Sequence, residues 1–268
     1  MKRIFVFTVI ALLALLSLVT LANAGVQTKE IEYSHNGVKL TGYLAFNDSK
    51  VGKRPGILVV HEWWGHNDHA RNRAIMLAKS GYTALALDMY GDGKLANHPK
   101  KAGELMNLTF SNWLDSQERY NKALEVLKAH KTVDAARIGS IGFCFGGAVS
   151  IKMARGGADL KGVVAFHSAS LPVEPAITKN SMKSAVLVIN GAEDGFLKPE
   201  AVASFSQDMF RANVDFTYMN LKGVKHSFTN PQADEFSEKF NIAALQYNKK
   251  ADEQSWISML NFFKRVFN

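Results

Sequence analysis

The chain of 268 residues holds one cysteine, Cys144. No disulfide can close within it, so the fold rests on its core without the covalent staples that many exported folds carry. Like-charged blocks are also missing. The 32 Lys and Arg against 24 Asp and Glu give a net charge of +8, but the basic residues are dispersed. Without a basic run or a stripe of basic and aromatic residues, the electrostatic footprint of a nucleic-acid binder is absent. Mild basicity suits solubility and weak attraction to anionic surfaces. There is no internal repeat, no low-complexity linker, and past residue 24 no apolar run long enough to cross a bilayer.

What is present begins with Met1-Lys2-Arg3, an apolar run from Ile4 to Leu21, and Ala22-Asn23-Ala24. A basic start, an apolar middle and an A-x-A site describe a secretory signal peptide cut after Ala24. An uncleaved anchor is the alternative, and the A-x-A site favours cleavage. No cysteine adjoins the site, which excludes a lipid-modified N-terminus. The expected product is exported, periplasmic or secreted, with residues 25–268 as a single domain. A lone thiol in an oxidising compartment is a liability unless it acts.

Two alternating runs, Glu30 to Ser34 and Lys39 to Phe46, flank Asn36-Gly37 and predict a hairpin. Apolar strands follow at Gly56–His61, Tyr82–Asp88, Arg137–Phe143, Gly162–Phe166, Ala185–Asn190 and Asp215–Asn220. Helical periodicity marks Ala70–Ser80, Leu114–His130, Gly147–Arg155, Pro199–Ala212 and about Ile242 to Val266. Strands alternating with amphipathic helices predict an α/β fold with a mostly parallel sheet, covered on both faces. Chemistry in such sheets gathers beyond the strand C-termini. There lie Glu62, the loop Met89 to Gly93, Cys144, His167, Asp194 and His226.

"HEWWGHNDH", His61 to His69, invites a metal reading. Its H-E-x-x-x-H spacing is one residue too long for a zinc helix, and Gly65 interrupts the helix that would present both rings. His66 and His69 could share a helix face, but two ligands make an incomplete site, so no metal is expected. "IGFCFGG", Ile141 to Gly147, is a G-x-C-x-G between a strand and a helix, the nucleophile elbow with Cys for Ser. Its turn sets the Phe145 N–H and a helix N-terminus beside any developing negative charge. The elbow predicts an acid and then a histidine downstream, and Asp194 and His226 follow successive strands in that order. Glu193 is the neighbouring rival for the acid. Each residue also has a bland reading: Asp194 as a turn residue, His226 as a loop hydrogen-bonder, Cys144 as a small buried side chain.

With "HEWWG", "ALDMYGDGK", "GFCFGG", "GAEDGFLKP" and "KHSFTNP" in place, the chain resembles the dienelactone hydrolase family from about Lys39 to Phe267. The resemblance implies an α/β-hydrolase fold and a Cys144, His226, Asp194 triad. It also implies a Glu62 that contacts and gates the resting thiol, and a Trp63 N–H that joins that of Phe145 in the oxyanion hole. Two arginines that clamp the substrate carboxylate in that family are missing here. The first region reads Tyr90-Gly91-Asp92-Gly93-Lys94 and the second position is Asn230, which cannot pair bidentately with a carboxylate. Trp63, Trp64, Tyr90 and Phe145 instead point to an apolar or aromatic acyl pocket. The expected activity is ester or lactone hydrolysis on a small molecule, by a monomer, through a thioester and without metal or organic cofactor. A thioesterase, a non-catalytic binding protein and a thiol redox sensor are the alternatives.

Overall fold

In the computed structural model of the protein the described residues are 25–268; the expected signal segment, residues 1–24, lies outside them. The described chain opens on the hairpin. β1 (Val26–His35) and β2 (Val38–Asn47) pair antiparallel with His35 opposite Val38. Asn36 and Gly37 both have positive φ, 47° and 76°, as a two-residue type I′ turn requires.

Six strands follow: β3 (Arg54–Val60), β4 (Thr83–Leu87), β5 (Val133–Phe143), β6 (Gly162–Phe166), β7 (Ala185–Gly191) and β8 (Phe216–Leu221). The sheet runs in the order β1-β2-β4-β3-β5-β6-β7-β8. β2 joins β4 antiparallel, and every pairing from β4 through β8 is parallel. This is the mostly parallel sheet with an antiparallel N-terminal hairpin that the sequence predicts. β5 starts earlier than its apolar run, because Val133 pairs with Arg54 before the register shifts at Pro55 and Gly56.

Side chains alternate across a strand, and the sheet separates two cores. Leu58, Val60, Val163 and Ala165 point into one; Ile57, Val59, Val164 and Phe166 point into the other. α1 (Asp68–Lys79) and α7 (Lys249–Val266) cover the second face through Ala74, Leu77, Met259 and Phe263. α2 (Pro99–Ser111), α3 (Trp113–Ala129), α4 (Phe145–Arg155) and α5 (Pro199–Arg211) cover the first through Leu105, Tyr120, Val149 and Phe205. With both faces dry, the central strands need continuous apolar runs rather than alternating ones.

Three helical features depart from the sequence reading. α2 was not expected; its buried face is only Ala102, Leu105 and Thr109, too thin a stripe to read. It is set by His98, whose ring accepts the Lys100 N–H at 3.2 Å, and by Pro99 at the first position. The eight-residue α6 (Ala233–Phe240) was also not expected. The last helix starts at Lys249 rather than near Ile242, because Asn248 caps it by accepting the Ala251 N–H at 3.0 Å. The residues before that cap instead bridge to the chain at His226.

Candidate active site

Cys144 stands between β5 and α4 with φ 53° and ψ −115°, a region that costs energy for any residue with a Cβ. The surroundings over-determine it. Its N–H donates to the Phe166 carbonyl at 3.0 Å, and its carbonyl accepts from the Gly147 N–H at 3.1 Å. A Cβ on Gly142 would lie 2.0 Å from the Gly146 carbonyl oxygen, and one on Gly146 would lie 2.3 Å from that of Val60. The two glycines are what let strand and helix meet so closely. Cys144 is 6% exposed, and Phe145 begins the helix, where N–H groups have no partner within the helix.

His226 lies on the loop after β8. Its backbone is held to the segment before α7: its N–H donates to Ala244 at 3.0 Å and its carbonyl accepts from Gln246 at 3.1 Å. The ring is buried and its Nδ1 meets Asp194 Oδ2 at 2.8 Å. Asp194 also accepts the Phe196 N–H at 3.0 Å and the Asn190 amide at 3.3 Å. Asn190 is itself fixed by the Ser168 N–H and carbonyl, each at 3.1 Å. Glu193, one residue away, is exposed. The structure thus seats Asp194, not its rival, against the imidazole.

The ring and the Cys144 side chain line one cavity. Burial alone would lower the pKa of His226. The negative charge that Cys144 can carry, with the hydrogen bond and charge of Asp194, more than offsets burial and pushes it up to about 10.

Glu62 does not touch the thiol as the resemblance implied. It is 1% exposed, and its two oxygens are taken by Ser227 Oγ at 3.0 Å and Asn230 Nδ2 at 2.6 Å. Asn230, which lacks the charge to hold a substrate carboxylate, holds this one. Burial raises the Glu62 pKa, against the pull of those two hydrogen bonds and of the positive charges on His226 and Arg73. Ser227, at φ 55°, directly follows His226, so Glu62 ties the end of β3 to the histidine loop.

The other histidines of the opening motif are dispersed. His61 Nδ1 contacts the Glu62 carbonyl at 2.6 Å and its Nε2 accepts the Met89 N–H at 3.3 Å. His69 Nε2 meets Thr229 Oγ1 at 3.3 Å. Burial lowers the pKa of His66 to about 3. Among the described residues no group of three His, Cys, Asp or Glu side chains is placed to hold a metal ion.

A cavity of about 90 Å³ opens over Cys144 and His226, walled by Trp63, Met106, Ala169, Phe196 and Leu245. Of the four aromatic residues expected to shape it, Trp63 does so. Trp64 is instead buried against Phe236, ring centroids 4.6 Å apart, because the unexpected α6 packs over it. Tyr90 is turned inward, its hydroxyl donating to the Trp63 carbonyl at 2.9 Å and its ring 4.7 Å from His61. Phe145 packs edge-on against Phe110 at 5.4 Å. Trp64 and Tyr90 therefore support the Trp63 backbone rather than line the cavity. Among the described residues no acceptor takes the Trp63 N–H. Met106, Ala169, Phe196 and Leu245 carried no signal in the sequence, since an apolar wall residue reads like a core residue until the segments meet.

The sequence profile of the Dienelactone hydrolase family matches residues 40–267. Protein usf of Aquifex pyrophilus is 30% identical over 239 residues, 87% of this chain and 96% of that one. Among solved structures, the dienelactone hydrolase-like promiscuous phosphotriesterase P91 from metagenomic libraries is 33% identical with a TM-score of 0.85. The match covers 91% of this chain and all of that one. A dienelactone hydrolase of Klebsiella pneumoniae subsp. pneumoniae, 22% identical with a TM-score of 0.71, covers 89% of this chain and 98% of its own and shares the fold. Sheet order, the strand-to-helix turn at Cys144 and the match across the domain lead to one assignment: the chain belongs to the dienelactone hydrolase family and is a hydrolase of the α/β-hydrolase fold.

Proposed function

We propose that the protein hydrolyses carboxylic esters or lactones through Cys144, His226 and Asp194. The observation that carries this reading is the buried imidazole held by Asp194 at 2.8 Å, which opens with the elbow thiol onto one apolar cavity. The Cys144 thiolate attacks the acyl carbonyl, and the carbonyl electrons move to an oxyanion facing the N–H groups of Trp63 and Phe145. Collapse expels the alcohol oxygen, which takes the proton of the His226 imidazolium, and leaves a thioester. Water then attacks the thioester, His226 takes its proton, and the carboxylic acid departs as the thiolate is restored. Asp194 fixes the tautomer that presents the second ring nitrogen to sulfur. A thioesterase would use the same steps, so substrate decides between them.

A panel of p-nitrophenyl esters, lactones, acyl thioesters and, because P91 is a promiscuous phosphotriesterase, a phosphotriester tests the reading. Cys144→Ala is expected to lose at least about 10³-fold in kcat/KM, the scale of removing a nucleophile, with an unchanged circular-dichroism spectrum. Undiminished turnover by this variant would sink the mechanism. We further propose export: the Ala22-Asn23-Ala24 site supports a mature chain starting at Gly25 outside the cytoplasm. The intact mass of the protein from its native host decides this, and retention of Met1 in a membrane fraction would overturn it.

A further inference from the structure

We infer that the cavity over Cys144 selects esters of short, uncharged acids, with Met106 as the residue that sets chain length. This rests on the ester-hydrolase reading above and names its acyl group.

Size is the first argument. A dry cavity of ~150 Å³ holds a benzene molecule. The space here is about 90 Å³, which by the same measure takes roughly three to four carbon atoms. Acetyl to butyryl groups fit, and longer chains must leave the cavity or displace a wall. Chemistry is the second. Apart from Cys144 and His226, the walls are Trp63, Met106, Ala169, Phe196 and Leu245, none of which donates a charged hydrogen bond. The carboxyl groups beside the site are those of Asp194, tied to His226, and Glu62, tied to Asn230. A carboxylate on the acyl tail would lose its water and find no cation among the walls except His226, which Asp194 already pairs.

The walls differ in how freely they can move. Trp63 adjoins the strand end under the oxyanion position, and Leu245 belongs to the segment bridged to His226. Changing either disturbs the reacting groups. Phe196 is 44% exposed at the rim, its ring 4.8 Å from that of His226. Met106 comes from α2, which contributes no reacting group, and its unbranched side chain is only partly buried. It is the wall that can be shortened without touching the machinery, and a thioether chain fills such gaps adaptably.

The test compares kcat/KM for p-nitrophenyl acetate, butyrate, hexanoate and octanoate, and for the p-nitrophenyl monoester of succinate, a charged neighbour of butyrate in length. Wild type is expected to peak at acetate or butyrate, and to fall at least ~10-fold by octanoate as methylenes lose their pocket. The succinate monoester should fall at least ~30-fold below butyrate, the cost of a buried unpaired charge. Met106→Ala should raise the octanoate-to-butyrate ratio by about fivefold or more, while Met106→Leu, which conserves volume, keeps the wild-type profile. Octanoate cleaved as well as butyrate, succinate as well as butyrate, or an unchanged ratio in folded Met106→Ala would each overturn the inference. Those outcomes leave ester hydrolysis standing. Failure to cleave any ester would instead remove the proposed function, and the inference with it.

Discussion

His226 lies between a carboxylate and a thiol, and its protonation is where chemistry and stability meet. Its pKa in the fold, about 10, lies above the ordinary histidine value of ~6.5. The proton is thus held more tightly folded than unfolded. That stabilisation is complete below about pH 6.5 and disappears as pH rises through about 10. The stability advantage of wild type over His226→Ala should therefore be larger at pH 6 than at pH 10.5, as read from urea midpoints. An equal gap at both values would show that the ion pair contributes nothing. The same variant should alkylate Cys144 with iodoacetamide at pH 6 at least about tenfold more slowly, because the thiolate loses its cation. Glu62 carries the opposite constraint. Placing Asp at 230 would set a second carboxyl where an amide now donates at 2.6 Å. Two buried carboxyls in contact raise the pKa of at least one of them. Asn230→Asp should therefore lose more stability at pH 8, where both must ionise, than at pH 5. A deficit independent of pH would mean that the loop opens and separates them.

At the scale of elements, the strand-to-helix turn at Cys144 tolerates almost nothing. A methyl group on Gly146 would meet the Val60 carbonyl oxygen at 2.3 Å, and backbone on both sides is fixed by the sheet. Gly146→Ala is expected to cost roughly 3 kcal/mol or more, a drop of about 6–12 °C in Tm for a domain of this size. Calorimetry checks this; a shift below 2 °C would mean the turn relaxes freely. This turn was legible in the sequence because its glycines flank the cysteine between two strong periodic signals. The parallel strands were legible for the same reason: double-sided burial writes long apolar runs. α2 and α6 were not. Their buried faces are Ala102, Leu105 and Thr109 in one and Ala233 alone in the other, so they follow from caps and neighbours rather than from periodicity. The acyl cavity inherits that gap, since Met106 lies on α2, and so does Trp64, which α6 covers through Phe236.

Across the whole molecule, the site draws on distant stretches of chain. Trp63 follows β3, Cys144 follows β5, Asp194 follows β7 and His226 follows β8. The order nucleophile, acid, histidine could be read along the chain, but which side chain Glu62 would grip could not, because Ser227 and Asn230 reach it only once the sheet is built. β8 is the last strand and forms one edge of that sheet, paired on one side by β7 alone. Edges and termini open locally at a lower free energy than central strands do. The nucleophile sits at the rigid middle of the protein and its base at the margin. In rising urea, ester turnover should therefore fade at about 0.5 M lower concentration than the far-ultraviolet signal of the sheet and helices, and coincident curves would argue for a single cooperative unit. A sample that has lost its activity can in that case still be a folded protein with one frayed border, and restoring it requires only that the border close again.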